Sequence, residues 1–235
     1  MEPLAQHPAL IDQVYEKLLQ AITAGEIQPG ERLAQEKLAA RLGVSRQPVS
    51  HALAMLKKQG LLTELGRKGL QVAPLDAERI RAFYQLRVAL DGLAAQLAAR
   101  RAAKLSDHER DRLRTILAEG RAALMSGEAA PLVSADHAFH ALLYRLSGNA
   151  VVIETAEQSW PHLRRALSVA LARSPANPRV WDEHAEIAEA VLAGHAAQAK
   201  SLAEVHAARA GNEIWQRLQD AGAVDGASPN GNAGP

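Results

Sequence analysis

Four side chains, far apart in the chain, have the types and spacing to hold a divalent cation. Asp136 and His140 stand four residues apart in VSADHAFHALLYRLSGN, so on a helix they share one face. His184 and His206 fall on two successive predicted helices, and the turn between them centres near His195, eleven residues from each. In an antiparallel hairpin, equal distance from the turn puts two residues at one level. One carboxylate and three imidazoles could therefore converge inside a helical bundle. That donor set suits Zn²⁺ best and is acceptable for Ni²⁺, Mn²⁺ or Fe²⁺. The competing reading is chance, because nine histidines in 235 residues will produce some such pairing among isolated core and surface histidines. The remaining histidines fit no ligand pattern. His137 turns away from the Asp136 face, His162 and His195 match nothing, and His7, His51 and His108 read as surface residues.

A second set lies upstream. Ile80, Tyr84, Arg87 and Asp91 recur at i, i+4, i+7 and i+11, one stripe of a predicted helix. A guanidinium and a carboxylate on a mostly apolar stripe must be paired or bound to something. Either Arg87 and Asp91 form a mutual ion pair, or Arg87 receives the carboxylate of a ligand whose other oxygens reach the metal. Asn149 could contact the same ligand or simply cap a helix, and Arg164 and Arg165 could line its wall.

The third set is LGVSRQPVSHALAMLKKQG, residues 42–60. A Gly-containing turn between two short helices makes a helix-turn-helix, whose second helix can enter the major groove of DNA. Ser45 suits the N-cap, and the N–H groups behind it favour a phosphate oxygen. Arg46 can fork onto guanine or clamp a phosphate, Gln47 can pair with adenine or a backbone oxygen, and Ser50 follows on the same helix. Arg67 and Lys68, in a Gly-Arg-Lys-Gly turn, suit sequence-blind attraction to phosphates. Residues 41–75 carry six basic side chains against Glu64 alone, although the whole chain is nearly neutral at +1. A local basic patch on a neutral protein points to an anionic partner at one end. An ordinary helical hairpin with a charged face is the alternative.

The elements that must position these groups are mostly helical. Alanine and leucine dominate, and aromatics are 3%. Helices are predicted over 10–24, 35–42 and 46–59, followed by two short extended runs, 61–65 and 70–73, joined as a hairpin. Pro74 and Asp76 mark a boundary. Helices then follow over 77–103, 106–126, 130–147, 150–173, 178–193 and 196–219, with Asn177-Pro178 as an N-cap and N1 pair and with Gly120, Gly127, Gly148 and Gly194 near helix ends or turns. The expected fold is mostly α: a winged helix-turn-helix over 1–75, an all-helical antiparallel bundle over 76–220, and a disordered tail over 221–235. The absence of cysteine excludes disulfides and thiolate metal sites. With neither a secretory signal nor a bilayer-length apolar run, the expected location is cytoplasmic.

These motifs also resemble a known family. LAQEKLAARLGVSRQPVSHALAMLKKQGLL, preceded by AGEIQPGERL and followed by GRKGLQV, is similar to the winged helix-turn-helix of the GntR transcription regulators. The chain has Ser50-His51 where the family commonly has Arg-Glu, and Lys37 where an Arg is frequent, so the operator is expected to differ from the family's usual one. Residues 77–219 more loosely resemble the FCD C-terminal domain of the FadR-type subfamily. In that subfamily, Asp-x-x-x-His followed by two histidines about 22 apart hold a metal, and an Arg-x-x-(Leu)-Glu stretch corresponds to Arg87 with Asp91 in place of Glu. The resemblance implies a homodimeric regulator, expected to be a repressor, that binds a palindromic double-stranded operator under control of a small carboxylate effector at the metal site. The rival function is a metal-dependent enzyme with an accessory basic domain. Against it, no HExxH is present, and Glu183, the only nearby carboxylate, is expected to face away from the ligands.

Overall fold

The structure is a computed structural model and describes residues 8–66, 69–173 and 177–220. The chain parts into two compact units between Leu75 and Asp76. Three predicted features, His7, the Arg67-Lys68 tip and the tail from residue 221, lie outside the described residues.

The first unit runs α1 (Pro8–Thr23), β1 (Arg32–Leu33), α2 (Gln35–Leu42), α3 (Arg46–Lys58), β2 (Leu62–Glu64) and β3 (Leu70–Val72). Val14, Leu18 and Ile22 of α1 pack with Leu38 of α2 and with Val49, Leu53 and Leu56 of α3 in one core. Each helix contributes one apolar stripe at helical spacing, as the amphipathic pattern requires. Gly43 adopts φ +68 and returns its N–H to α2 carbonyls, which ends that helix and turns the chain into α3. A side chain there would be strained, so Gly sets the tight turn.

The wing departs from the expected two-stranded hairpin. Its sheet has three antiparallel strands in the order β1-β3-β2, with Arg32 opposite Gln71 and Thr63 opposite Gln71 on the other side. β1 is two residues long, too short to show any alternation, and only pairing with β3 makes it a strand. Leu65 N–H donates to the Gly69 carbonyl across the hairpin tip.

The second unit is a helical bundle: α4 (Ala77–Arg100), a 3-10 turn at Ala102–Lys104, α5 (Asp107–Ser126), α6 (Ala129–Ser147), α7 (Ala150–Arg173), α8 (Arg179–Leu192) and α9 (Ala196–Asp220). α4 is its axis, touching α6, α7, α8 and α9. The caps explain the boundaries. Asp76 accepts from Arg79 N–H at the start of α4, and Ser106 and Glu109 form a reciprocal capping box at the start of α5. Asn177 accepts from Arg179 N–H ahead of α8.

Gly120 corrects the expectation that it lies near a helix end. It sits inside α5, where a Cβ would fall 2.0 Å from the indole of Trp181 on α8. A glycine in mid-helix disfavours the helix by about 1 kcal/mol relative to alanine. Here it makes room for the largest side chain of the neighbouring helix.

Candidate functional site

α3 presents its polar start to solvent. Ser45 occupies the N-cap with an extended backbone, yet its hydroxyl makes no capping hydrogen bond. The first-turn N–H groups are therefore left for an outside acceptor. Ser45, Arg46 and Gln47 are exposed and Ser50 is half-buried, while Val49, Leu53 and Leu56 hold the opposite face in the core. Arg46 Nη1 donates to Glu36 Oε1 at 3.0 Å, with both side chains more than two-thirds exposed. An ion pair this exposed contributes about 0–1 kcal/mol, so exchange for a phosphate or a guanine edge is inexpensive. Lys57 pairs with Glu64 of β2.

In the helical bundle, α6 supplies Asp136 and His140, α8 supplies His184 and α9 supplies His206. One donor atom from each lies within 4.8 Å of every other. His184 Nε2 and His206 Nε2 are 3.1 Å apart, and Asp136 Oδ1 is 3.7 Å from both His140 Nε2 and His184 Nε2. Two nitrogens bound to one first-row ion at about 2.0–2.1 Å stand roughly 3.0–3.4 Å apart, so this spacing fits a shared cation. His140, His184 and His206 are almost fully buried, and burial pushes the pKa of His184 well below its usual value. Burial lowers the pKa of His206 as well, whereas for His140 burial and Arg87 are outweighed by Asp91 and Asp136, which raise it. His184 and His206 are thus kept neutral, the form in which an imidazole ligates a metal. Asp136 Oδ2 is buried without a hydrogen-bond partner among the described residues, another mark of a site that wants a cation.

Two further carboxylates orient the rings. His206 Nδ1 donates to Glu183 Oε2 at 2.9 Å, which leaves the Nε2 lone pair aimed at the cluster. His140 Nδ1 lies 3.2 Å from Asp91 Oδ2, and its Nε2 accepts from Arg87 Nη2 at 2.5 Å. A carboxylate behind a ligating histidine is what fixes its tautomer. Glu183 therefore corrects the expectation that it faces away. It is one residue before His184 but reaches across to α9, where Arg209 Nη2 also donates to it at 2.5 Å. Burial opposes its charge, but the bonds from His206 and Arg209 hold its pKa at about 2. Spacing along one helix gave no sign of a partner on the next.

Arg87 forms the expected ion pair with Asp91 and also faces Asp136. Its Nε donates to Asp91 Oδ2 at 3.2 Å, the i,i+4 pair, and its Nη2 lies 3.8 Å from Asp136 Oδ2. Asp91 also accepts from Tyr144 OH at 2.5 Å. Burial works against its charge, but His140 and Arg87 hold its pKa down at about 2. Arg87 and Asp136, both buried, form the floor of an open cavity whose walls include Leu132, Leu167, Leu171, Trp181 and Ile214. Trp181 also stands edge-on to His184 at 4.7 Å. Asn149 is elsewhere. Its Oδ1 caps α7 by accepting from Val151 and Val152 N–H, and it does not line this cavity, so capping describes it and ligand contact does not. Arg164 and Arg165 are likewise absent from the lining. His162 stacks on Phe83, His137 stands edge-on to Trp160, and His51, His108 and His195 are exposed.

The model of the FCD domain matches residues 82–209, and that of bacterial regulatory proteins of the gntR family matches residues 10–72. The chain belongs to the GntR family of regulators with an FCD domain. An HTH-type transcriptional regulator in an unstable DNA locus of Streptomyces ambofaciens is 32% identical over 198 residues, covering 82% of this chain and 80% of that protein. The fold is shared with McbR/YncC of Escherichia coli, at a TM-score of 0.78 and 21% identity over 89% of this chain and 99% of that one. A GntR regulator of Rhodococcus sp. RHA1 superimposes with a TM-score of 0.75 at 24% identity, covering 88% and 97%. This regulator accordingly binds DNA through its winged helix and binds an effector through its helical domain, and the rival reading as an enzyme falls with that membership. Its Asp/His cluster could hold a metal ion. Among the described residues no helix is long and apolar enough to cross a membrane.

Proposed function

We propose that this GntR regulator is a cytoplasmic homodimeric repressor whose grip on a palindromic operator is set by a small carboxylate bound at a divalent metal ion, zinc in the first instance. The observation that carries the reading is the buried convergence of Asp136, His140, His184 and His206, of which Asp136 and His206 line a cavity. Three imidazoles and one carboxylate are a borderline set that takes zinc readily, and an effector oxygen would join them by raising the coordination number above four; nickel, manganese and iron are the alternatives. A bound ion would supply a Lewis-acidic position for one carboxylate oxygen.

The chain's own groups do the rest. Glu183 and Asp91 hold the His206 and His140 rings in register. Arg87 stands at the floor beside Asp136 and donates to His140 Nε2; an ion taking that nitrogen would displace this N–H and free it for a second carboxylate oxygen. On the DNA side, Ser45 and the start of α3 meet a phosphate, Arg46 and Gln47 reach base edges, Ser50 follows along the groove, and the Arg67-Lys68 tip contributes charge. A single winged helix covers one half-site, so two copies are needed for a palindrome. Leu86, Leu90, Leu93 and Leu97 form an apolar stripe on α4, with Leu86 and Leu93 exposed, and supply a face for the second copy. Effector binding shifts the population of dimer arrangements and thereby half-site spacing.

The test combines elemental analysis with a gel shift on the upstream region of its own gene, with and without carboxylates. About one ion per chain, and a carboxylate-dependent shift that a chelator abolishes, are expected. A protein without stoichiometric transition metal, or one whose operator binding ignores every carboxylate, overturns the reading.

A further inference from the structure

The cavity above the metal cluster has an uneven charge distribution, and that distribution restricts what can fill it. Arg87 and Asp136 line its floor, and a second carboxylate, Asp91, is buried behind Arg87. A divalent ion added to these leaves one positive charge in excess, enough for one carboxylate. At the mouth the arginines are already engaged by carboxylates. Arg217 Nη2 donates to Glu213 Oε1 at 2.6 Å, and Arg209 Nη1 lies 3.4 Å from Glu213 Oε2 while its Nη2 is held by Glu183. Arg217 and Glu213 both line the cavity, so a second anionic group would have to compete with Glu213 for Arg217. The walls are mostly apolar, formed by Leu132, Leu167, Leu171, Val180, Trp181 and Ile214, with Tyr84 and Asn177 as polar exceptions. A dicarboxylate or a polyhydroxylated acid would bury most of its added polar groups against hydrocarbon, which is costly.

We propose that the effector is a monocarboxylate with an apolar body, its head on the metal and Arg87 and its tail between the leucines and Trp181. This rests on the metal-site reading above and adds the class of acid that the site selects. Affinity gained per buried methylene is the measurable consequence, about fourfold for each CH₂.

The experiment is calorimetry on the metal-loaded full chain with butyrate, hexanoate, octanoate and octanedioate. Affinity is expected to rise about fourfold per methylene across the monocarboxylates. Octanedioate is expected to bind at least about tenfold more weakly than octanoate, because its far carboxylate lies against apolar walls. Ala210→Leu narrows the cavity and should weaken octanoate more than butyrate at unchanged metal content. Ile214→Ala, which enlarges it, should move the optimum to longer chains and serves if the first variant unfolds. Arg217→Ala should leave octanoate within about twofold of wild type. A flat chain-length series, or octanedioate binding as tightly as octanoate, overturns this proposal while leaving the metal site intact. Loss of stoichiometric metal is read separately by elemental analysis and sinks the earlier reading instead.

Discussion

At the scale of single residues, His206 shows how a ligand depends on its support. Its Nε2 is available because Glu183 takes the Nδ1 proton, and Glu183 is itself held by Arg209 and, at 3.0 Å, by Arg179 Nε. Glu183→Ala should weaken metal affinity about 10- to 100-fold with the bundle still folded, as measured by competition with a chromogenic chelator. An unchanged affinity would mean that the Glu183 bond does not orient the ring. His184→Ala or His206→Ala should remove the metal altogether, which elemental analysis checks. On the other unit, Arg46→Ala should abolish discrimination between operator and random DNA, and a variant that still discriminates refutes the docking of α3. Arg87 needs more care. It is buried against Asp91, so Arg87→Ala strands a buried carboxylate and should cost about 3–5 kcal/mol of stability as well as effector response.

At the scale of elements, two local devices decide whether the helices stand where the site needs them. The Ser106–Glu109 capping box starts α5, so Ser106→Ala should lower stability by about 1 kcal/mol in chemical denaturation. Bonds from the Ser106 backbone N–H and hydroxyl hold the Glu109 pKa below its usual value. A carboxyl whose folded pKa is depressed stabilises above its unfolded pKa and loses that contribution as pH falls through the folded one. Melting curves of wild type and Glu109→Gln should therefore differ at neutral pH and converge in acid. Gly120 is the second device. Gly120→Ala drives a methyl into the Trp181 ring and should destabilise the bundle by about 1–3 kcal/mol, the range for overpacking, despite alanine's better helix propensity. Because Trp181 also flanks His184 and lines the cavity, ligand affinity should fall with it.

At the scale of the molecule, the two units should respond to different solution conditions. Metal binding to the folded bundle alone stabilises it by mass action, about 2.7 kcal/mol at a hundredfold excess over Kd. Chelation should therefore lower the melting temperature of the helical unit and leave that of the winged helix in place. Raising salt should do the converse to function, weakening duplex binding steeply while leaving metal content untouched. A single melting transition that moves as a whole on chelation would contradict this independence.

Much of the architecture was legible in the sequence because it rests on local physics. The amphipathic stripes of α1 and α3, the Gly43 turn, the Asn177 cap and the Asp76 boundary are encoded within a few residues of where they act. The convergence of His184 and His206 was legible for a similar reason, since equal arms about one turn fix their level in an antiparallel hairpin. Contacts between elements remote in sequence were not legible. β1 exists only through pairing with β3, Gly120 is understood only with Trp181 beside it, and Glu183 finds His206 only because α8 and α9 pack at one rotation. The floor, mouth and mostly apolar walls of the cavity come from five helices at once, and no spacing rule sums their side chains. Periodicity along a chain determines which face of an element is buried. Which charge ends up opposite which is decided when the elements close on one another.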